Sequence, residues 1–174
     1  MEMLCRIRMY HSHAYHEPLR SRATRNVMKP SRASSRGFLP LTLPKDGKLR
    51  TIFYESILEK RFLMLMAVSG DLFDIWEQPT EIRYRKPNGR IGHHIFDFLI
   101  TLMSGERIAV AIKPLERVWQ RNFERELECI ASHMPKTFAD SLMLITDRDL
   151  DVQAANAAGR DLMMRNRSLM GAAA

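Results

Sequence analysis

From Leu49 onward, hydrophobic and polar positions alternate between two periods. In "LRTIFYESILEKRFLMLMAVSGD", Leu58, Phe62 and Leu65 recur at helical spacing, with Tyr54 one turn earlier, which predicts a helix stopped near Gly70. "LFDIWEQP" then reads as a first strand halted by Pro79, and "TEIRYR" as its continuation or a second strand. Asn88-Gly89 favours a turn, and "IGHHIFDFLITLM" reads as one long strand. In that strand His94, Phe96, Phe98 and Ile100 face one side, and Ile95, Asp97 and Leu99 the other. "SGE" turns the chain into "RIAVAIKP", where Ile108, Val110 and Ile112 oppose Arg107, Ala109, Ala111 and Lys113. Leu115, Val118, Trp119, Phe123, Leu127 and Ile130 form a helical stripe, broken at Met134-Pro135. "DSLMLIT" is a short strand, and the segment from Leu150 to Arg167 a last helix capped by Asp149 or Asp151.

The predicted order is therefore helix, three-strand antiparallel meander, helix, strand, helix. A crossover helix before the last strand favours an α/β fold with a mixed sheet covered on both faces. Residues 1–50 show neither period and read as an irregular arm, 51–167 as one domain, and 168–174 as a flexible tail. No internal repeat is present.

Charge sharpens that division. The first fifty residues hold eleven Lys or Arg against three acids, a net of +8, while the whole chain carries +7. A basic leader on a near-neutral body suits a polyanionic partner, most simply nucleic acid, though solvated basic tails are equally common. Arg20, Arg22, Arg25, Lys29, Arg32, Arg36, Lys48 and Arg50 are the phosphate-contact candidates. Deleting the arm is expected to weaken DNA binding and leave the body folded. His11, His13 and His16 cluster in the arm, where a metal role has a low prior. Two cysteines, Cys5 and Cys129, make no disulfide framework and suit a reducing cytoplasm. No apolar run is long enough to span a bilayer, so no membrane partner is expected. The Arg-rich, acid-poor start also has the composition of an organellar leader.

Asp97 is the most informative single residue, because a carboxylate inside an apolar strand is costly unless paired or metal-bound. Lys113 ends the neighbouring strand, and Glu59 lies on the preceding helix with Glu55 one turn before it. Two carboxylates and a lysine at strand ends suit a Mg²⁺ site for phosphoryl chemistry. A structural Asp97–Lys113 salt bridge is the commoner outcome of such a pattern.

The helix carboxylate, the strand Asp and the lysine closing the next strand resemble the PD-(D/E)xK nuclease superfamily. More narrowly, "YESILEKRFLMLMAVSGDLFDIWEQP", "IFDF", "AVAIKP" and "LITDRDLDVQAANAAGRDL" resemble the catalytic domain of TnsA-like endonucleases, over roughly residues 30–165. The resemblance implies a restriction-endonuclease-like αβββαβ core and Mg²⁺- or Mn²⁺-dependent DNA cleavage. Its partners would be DNA, and a transposase, recombinase or other protein or a second copy of the chain. Its setting would be the bacterial cytoplasm or a phage. It assigns Asp97, Glu59 and the backbone carbonyl of Ile112 to the metal, and Lys113 to the attacking water. Glu55 and Gln78 stand behind them. The middle acid falls on Ala111, where relatives carry Glu or Gln. Three readings follow: an engineered truncation, a natural pseudonuclease that binds DNA or assembles with partners, or a role moved to Glu116.

Overall fold

The computed structural model describes residues 17–25 and 35–171, with side chains to residue 166. Twelve elements follow in these residues: β1 (Gly37–Thr42), β2 (Leu49–Tyr54), α1 (Ile57–Val68), β3 (Leu72–Glu77), β4 (Ile82–Arg85), β5 (Ile91–His94), β6 (Phe98–Leu102), β7 (Arg107–Ile112), α2 (Leu115–Gln120), α3 (Phe123–His133), β8 (Ser141–Ile145) and α4 (Val152–Gly171). The architecture is mixed α/β. A four-stranded sheet runs β3-β6-β7-β8, antiparallel except for the parallel β7–β8 pair that the α2–α3 crossover makes necessary.

The sheet separates two cores. On one face Phe98, Ile100, Ile108, Val110 and Ile112 pack with Leu58, Phe62 and Leu63 of α1 and Leu162 of α4. On the other, Leu99, Ala109 and Ala111 meet Val118, Phe123, Leu127 and Ile130 from the α2–α3 arm. The alternation predicted for β7 is the observed one.

Three predicted boundaries change. The long strand over 91–103 is two strands. β5 pairs with β4 in a separate ribbon, and the chain crosses to the main sheet through Ile95–Asp97, which restarts the alternation. Phe96 consequently joins Leu99 rather than Phe98. The stripe over 115–132 is also two helices, separated at Asn122, whose φ of 48° is left-handed. That turn leaves Trp119 70% exposed instead of in the core. The last helix runs to Gly171, so a tail beginning at 168 is not what forms. Its cap is Asp151, whose carboxylate accepts the Ala154 N–H at 2.6 Å; Asp149 instead holds Thr146.

The largest correction concerns the arm. β1 and β2 form a hairpin whose Leu41, Leu43 and Ile52 are buried against α1. Its alternation had been obscured by Pro40, Pro44 and the charged turn Lys45–Lys48. Residues 17–25 form a strap that joins this hairpin to the sheet. Leu19 bridges β2, exchanging bonds with Leu49 O and the Thr51 N–H at 2.8 and 2.9 Å. Farther on, the strap runs along β3, an edge strand whose free hydrogen-bonding side needs cover. The Trp76 indole N–H donates to Arg22 O at 2.7 Å, and the Thr24 N–H to Gln78 O at 3.0 Å. No helix among the described residues is long and apolar enough to cross a membrane.

Most described arm cations are consumed by this packing. Arg22 grips both Asp74 oxygens and the Ile75 carbonyl. Burial raises the Asp74 carboxyl, but the bonds from Arg22 and Lys45 together hold it below its usual value. Arg50 bonds Asp46 at 2.7 Å, and Arg36 bonds Glu55 at 3.1 Å. Each of these arginines is thus paired with a carboxylate inside the fold. Arg20 and Lys48 are exposed. Lys29, Arg32, His11, His13, His16 and Cys5 lie outside the described residues.

Candidate active site

β6 and β7 separate near Asp97, and that separation creates the site. The Asp97 N–H still donates to Val110 O at 3.0 Å, but the next ladder position is different: the Ile112 N–H donates to the Asp97 carboxylate, Oδ2, at 2.6 Å. The side chain thus replaces a backbone acceptor. Lys113 Nζ lies 3.6 Å from the same oxygen, with its side chain 37% exposed against 11% for Asp97. The ammonium also stands 5.8 Å over the Phe123 ring. Burial raises the Asp97 carboxyl above its usual value, and Lys113 and the Ile112 N–H oppose that rise. The Asp97–Lys113 pairing expected from the strand pattern is present.

Glu59 approaches from α1. Sequence spacing places Glu55 and Glu59 on one helix face, whereas the helix starts only at Ile57 and Glu55 precedes it. Their actual link is a capping arrangement. Ser56 is the N-cap and accepts the Glu59 N–H at 3.2 Å, while the Glu59 carboxylate accepts the Ser56 hydroxyl at 2.8 Å and the Glu55 N–H at 2.7 Å. The Ser-x-x-Glu signature at 56–59 would have revealed this from sequence.

Burial, and then the Asp97 charge, push the Glu59 carboxyl up to about 7. A carboxyl raised in the fold binds its proton more tightly there than in the unfolded chain. Its contribution to stability is full below about 4.5 and is lost as pH rises through about 7. Glu59→Gln cannot ionise. Its stability relative to the parent is therefore expected to shift in its favour by about 2.5 kcal/mol between pH 5 and pH 8. Urea unfolding at the two pH values checks this; an unchanged difference would mean that Glu59 is ionised throughout.

Gln78 ties the site to the strap. It is buried, with a left-handed φ of 43°, a conformation a non-glycine residue keeps only when its surroundings impose it. Its N–H donates to Asp97 O at 3.0 Å, and its side-chain oxygen accepts Arg25 Nε at 2.6 Å. Arg25 also pairs with Glu55, which Arg36 shares. The Glu-Gln-Pro stretch at 77–79 is thus the strap's anchor. Glu77 accepts from the Ser21 hydroxyl and the Arg22 N–H, Gln78 holds Arg25, and Pro79 O accepts the Thr24 hydroxyl at 3.1 Å.

Ala111 is wholly buried, in the apolar cluster that includes Phe96, Val118 and Phe123. Glu116 does not replace it. Its exposed carboxylate accepts from Gln120 at 2.8 Å, and no hydrogen bond or ion pair joins it to Asp97, Glu59 or Lys113. His94 is a neighbour the pattern did not single out. Its ring contacts Phe96 and Phe123, and burial, then the charge of Lys113, push it down to about 4, so it is neutral at pH 7.

Both Glu59 oxygens accept protein hydrogen bonds, one Asp97 oxygen is taken, and position 111 brings none. Among the described residues no three His, Cys, Asp or Glu side chains group closely enough to hold a metal ion. Mg²⁺ is commonly held by one or two carboxylates, with water and substrate oxygens completing its roughly six ligands, so Asp97 with one free oxygen and Glu59 with both oxygens already bonded make a sparse donor set for it. Comparison with known proteins adds no family: no family model matches the chain, and no curated protein does.

Proposed function

We propose that this chain is a DNA-directed protein of the TnsA-like, PD-(D/E)xK endonuclease type, with a phosphodiester site incomplete at position 111. The observation carrying this reading is the meeting of Asp97 and Lys113 at the separating ends of β6 and β7, with Glu59 at the start of α1 close enough to feel the Asp97 charge. The order α1, β3, β6, β7, crossover helices, β8 supports a restriction-endonuclease-like core, with the β4–β5 ribbon as an insertion. In this reading Lys113 stabilises negative charge on a phosphate oxygen, Phe123 and Asp97 hold it in place, and Gln78 fixes the loop carrying Asp97.

The missing donor favours a second reading on the same fold, a DNA-binding or assembly module that no longer cuts. Restoring the acid separates them: plasmid cleavage by Ala111→Glu in Mg²⁺ or Mn²⁺, compared with the parent chain, supports the endonuclease type if it appears and the module if it does not.

A further inference from the structure

The strap places one arginine differently from its neighbours. Arg22 spends three bonds on Asp74 and Ile75 with its side chain only 23% exposed, whereas Arg25 makes two bonds, from Nε to Gln78 and from Nη2 to Glu55. A guanidinium has five N–H donors, so three remain on Arg25, and its side chain is 46% exposed. Both anchors adjoin the site. Gln78 bonds the Asp97 backbone, and Glu55 bonds the Glu59 carboxylate through its own N–H. The charge of Arg25 reaches Asp97, where it helps Lys113 oppose the effect of burial. Lys113 and Arg25 therefore both act on Asp97, and Arg25 also holds Glu55. An exposed guanidinium with unspent planar donors, whose charge reaches the Asp97–Lys113 pair, suits an oxyanion.

We propose that Arg25 is a phosphate-binding residue beside the Asp97–Lys113 pair, and that with Lys113 it takes a phosphodiester oxygen without any metal. Gln78 and Glu55 are its positioning residues: they fix the Nε edge and leave the rest of the fork open. The strained backbone at Gln78 is explained by this duty, since it lets one residue bond Asp97 with its N–H and Arg25 with its side chain. The choice of DNA as the source of the phosphate rests on the function proposed above.

The test uses the full chain and a fluorescein-labelled 30-bp duplex in EDTA, with anisotropy read between about 50 and 200 mM salt. Arg25→Ala is expected to weaken binding about 10-fold at the low end and to reduce the salt slope by about 1. Arg25→Lys keeps the charge but loses the anchored fork, and is expected to weaken binding about 3-fold with the slope retained. Arg90→Ala, an exposed charge on the distant β4–β5 turn, serves as the control. Melting curves accompany each variant, and if Arg25→Ala does not fold, the Arg25→Lys affinity decides. Parental affinity in the folded variants overturns the proposal. Inorganic phosphate at matched ionic strength displaces the duplex from a site that takes any phosphate and leaves it bound where the polymer backbone is required. The two proposals fail separately. Normal binding by Arg25→Ala together with cleavage by Ala111→Glu removes only the arginine's role. Weakened binding together with an inert Ala111→Glu removes only the endonuclease reading.

Discussion

Ala111→Glu is expected to convert a chain with little or no nuclease activity into one that nicks plasmid DNA in Mg²⁺ or Mn²⁺. Ala111 of β7 and Lys113, the residue just past its end, are two apart and lie on one side, opposite Ile112, so a carboxylate at 111 lies on the side of the lysine that pairs with Asp97. It supplies the anionic oxygen that the present donor set lacks. A gain of about 100-fold or more over the parent is the expected scale, comparable to restoring one transition-state contact in other hydrolases. EDTA and the added change Lys113→Ala should each abolish it. Glutamate at 110 or 112 points into the α1–α4 core and should give no activity. The position exacts a structural cost, because Ala111 is closed off among Phe96, Val118 and Phe123. Overpacking there costs about 1–3 kcal/mol, and a carboxylate that finds neither Lys113 nor a cation adds about 3–5 kcal/mol for a buried unpaired charge, so the Tm falls by at least roughly 2–12 °C for a chain of this size. Cleavage should therefore be assayed well below the melting temperature. A folded Ala111→Glu that binds DNA and stays inert would defeat the endonuclease reading.

Deleting residues 1–50 is expected to unfold the protein. The expectation from composition was the reverse, that a charged arm could be removed from an intact body. The deletion removes Leu41 and Leu43, which are 2% and 1% exposed, and takes from β2 the Leu49 and Arg50 that bind the strap. It also strips the cover from the β3 edge and leaves Asp74 and Glu77 buried without Arg22, Lys45 or Ser21. Losing one buried leucine side chain costs about 2–5 kcal/mol, and an unpaired buried charge about 3–5 kcal/mol. For two leucines and two carboxylates the sum is about 10–20 kcal/mol, as large as the ~5–15 kcal/mol by which a domain is normally stable. Circular dichroism and a thermal melt would show no cooperative transition in the truncated chain. A cooperative melt from the 51–174 fragment would show that the hairpin and strap are accessories.

Much of the central fold could be read directly. The period-two pattern of β7 and the crossover before β8 led to a mixed sheet covered on both faces, because burying each side of a strand leaves a visible trace in every second residue. The pairing of Asp97 with Lys113 was legible for a related reason: a lone carboxylate in an apolar strand demands a cation, and the adjacent strand end offered one. The strap and the capping role of Glu59 were not read that way. A strap has no period, since its contacts are backbone bonds and side-chain bonds to a strand edge more than fifty residues away. Basic residues look alike in sequence whether they face phosphate or a buried carboxylate, so net charge overstated the arm as a free polycation. Only the tertiary structure decided that Arg22, Arg36 and Arg50 pair internally while Arg25 keeps unspent donors beside the cleft. The sequence by itself determined which chemistry can meet at the ends of β6 and β7, because those residues are carried by local periodicity. The folded chain determined how much of that chemistry is still available, because competition among hydrogen-bond partners is settled only when distant segments are brought together.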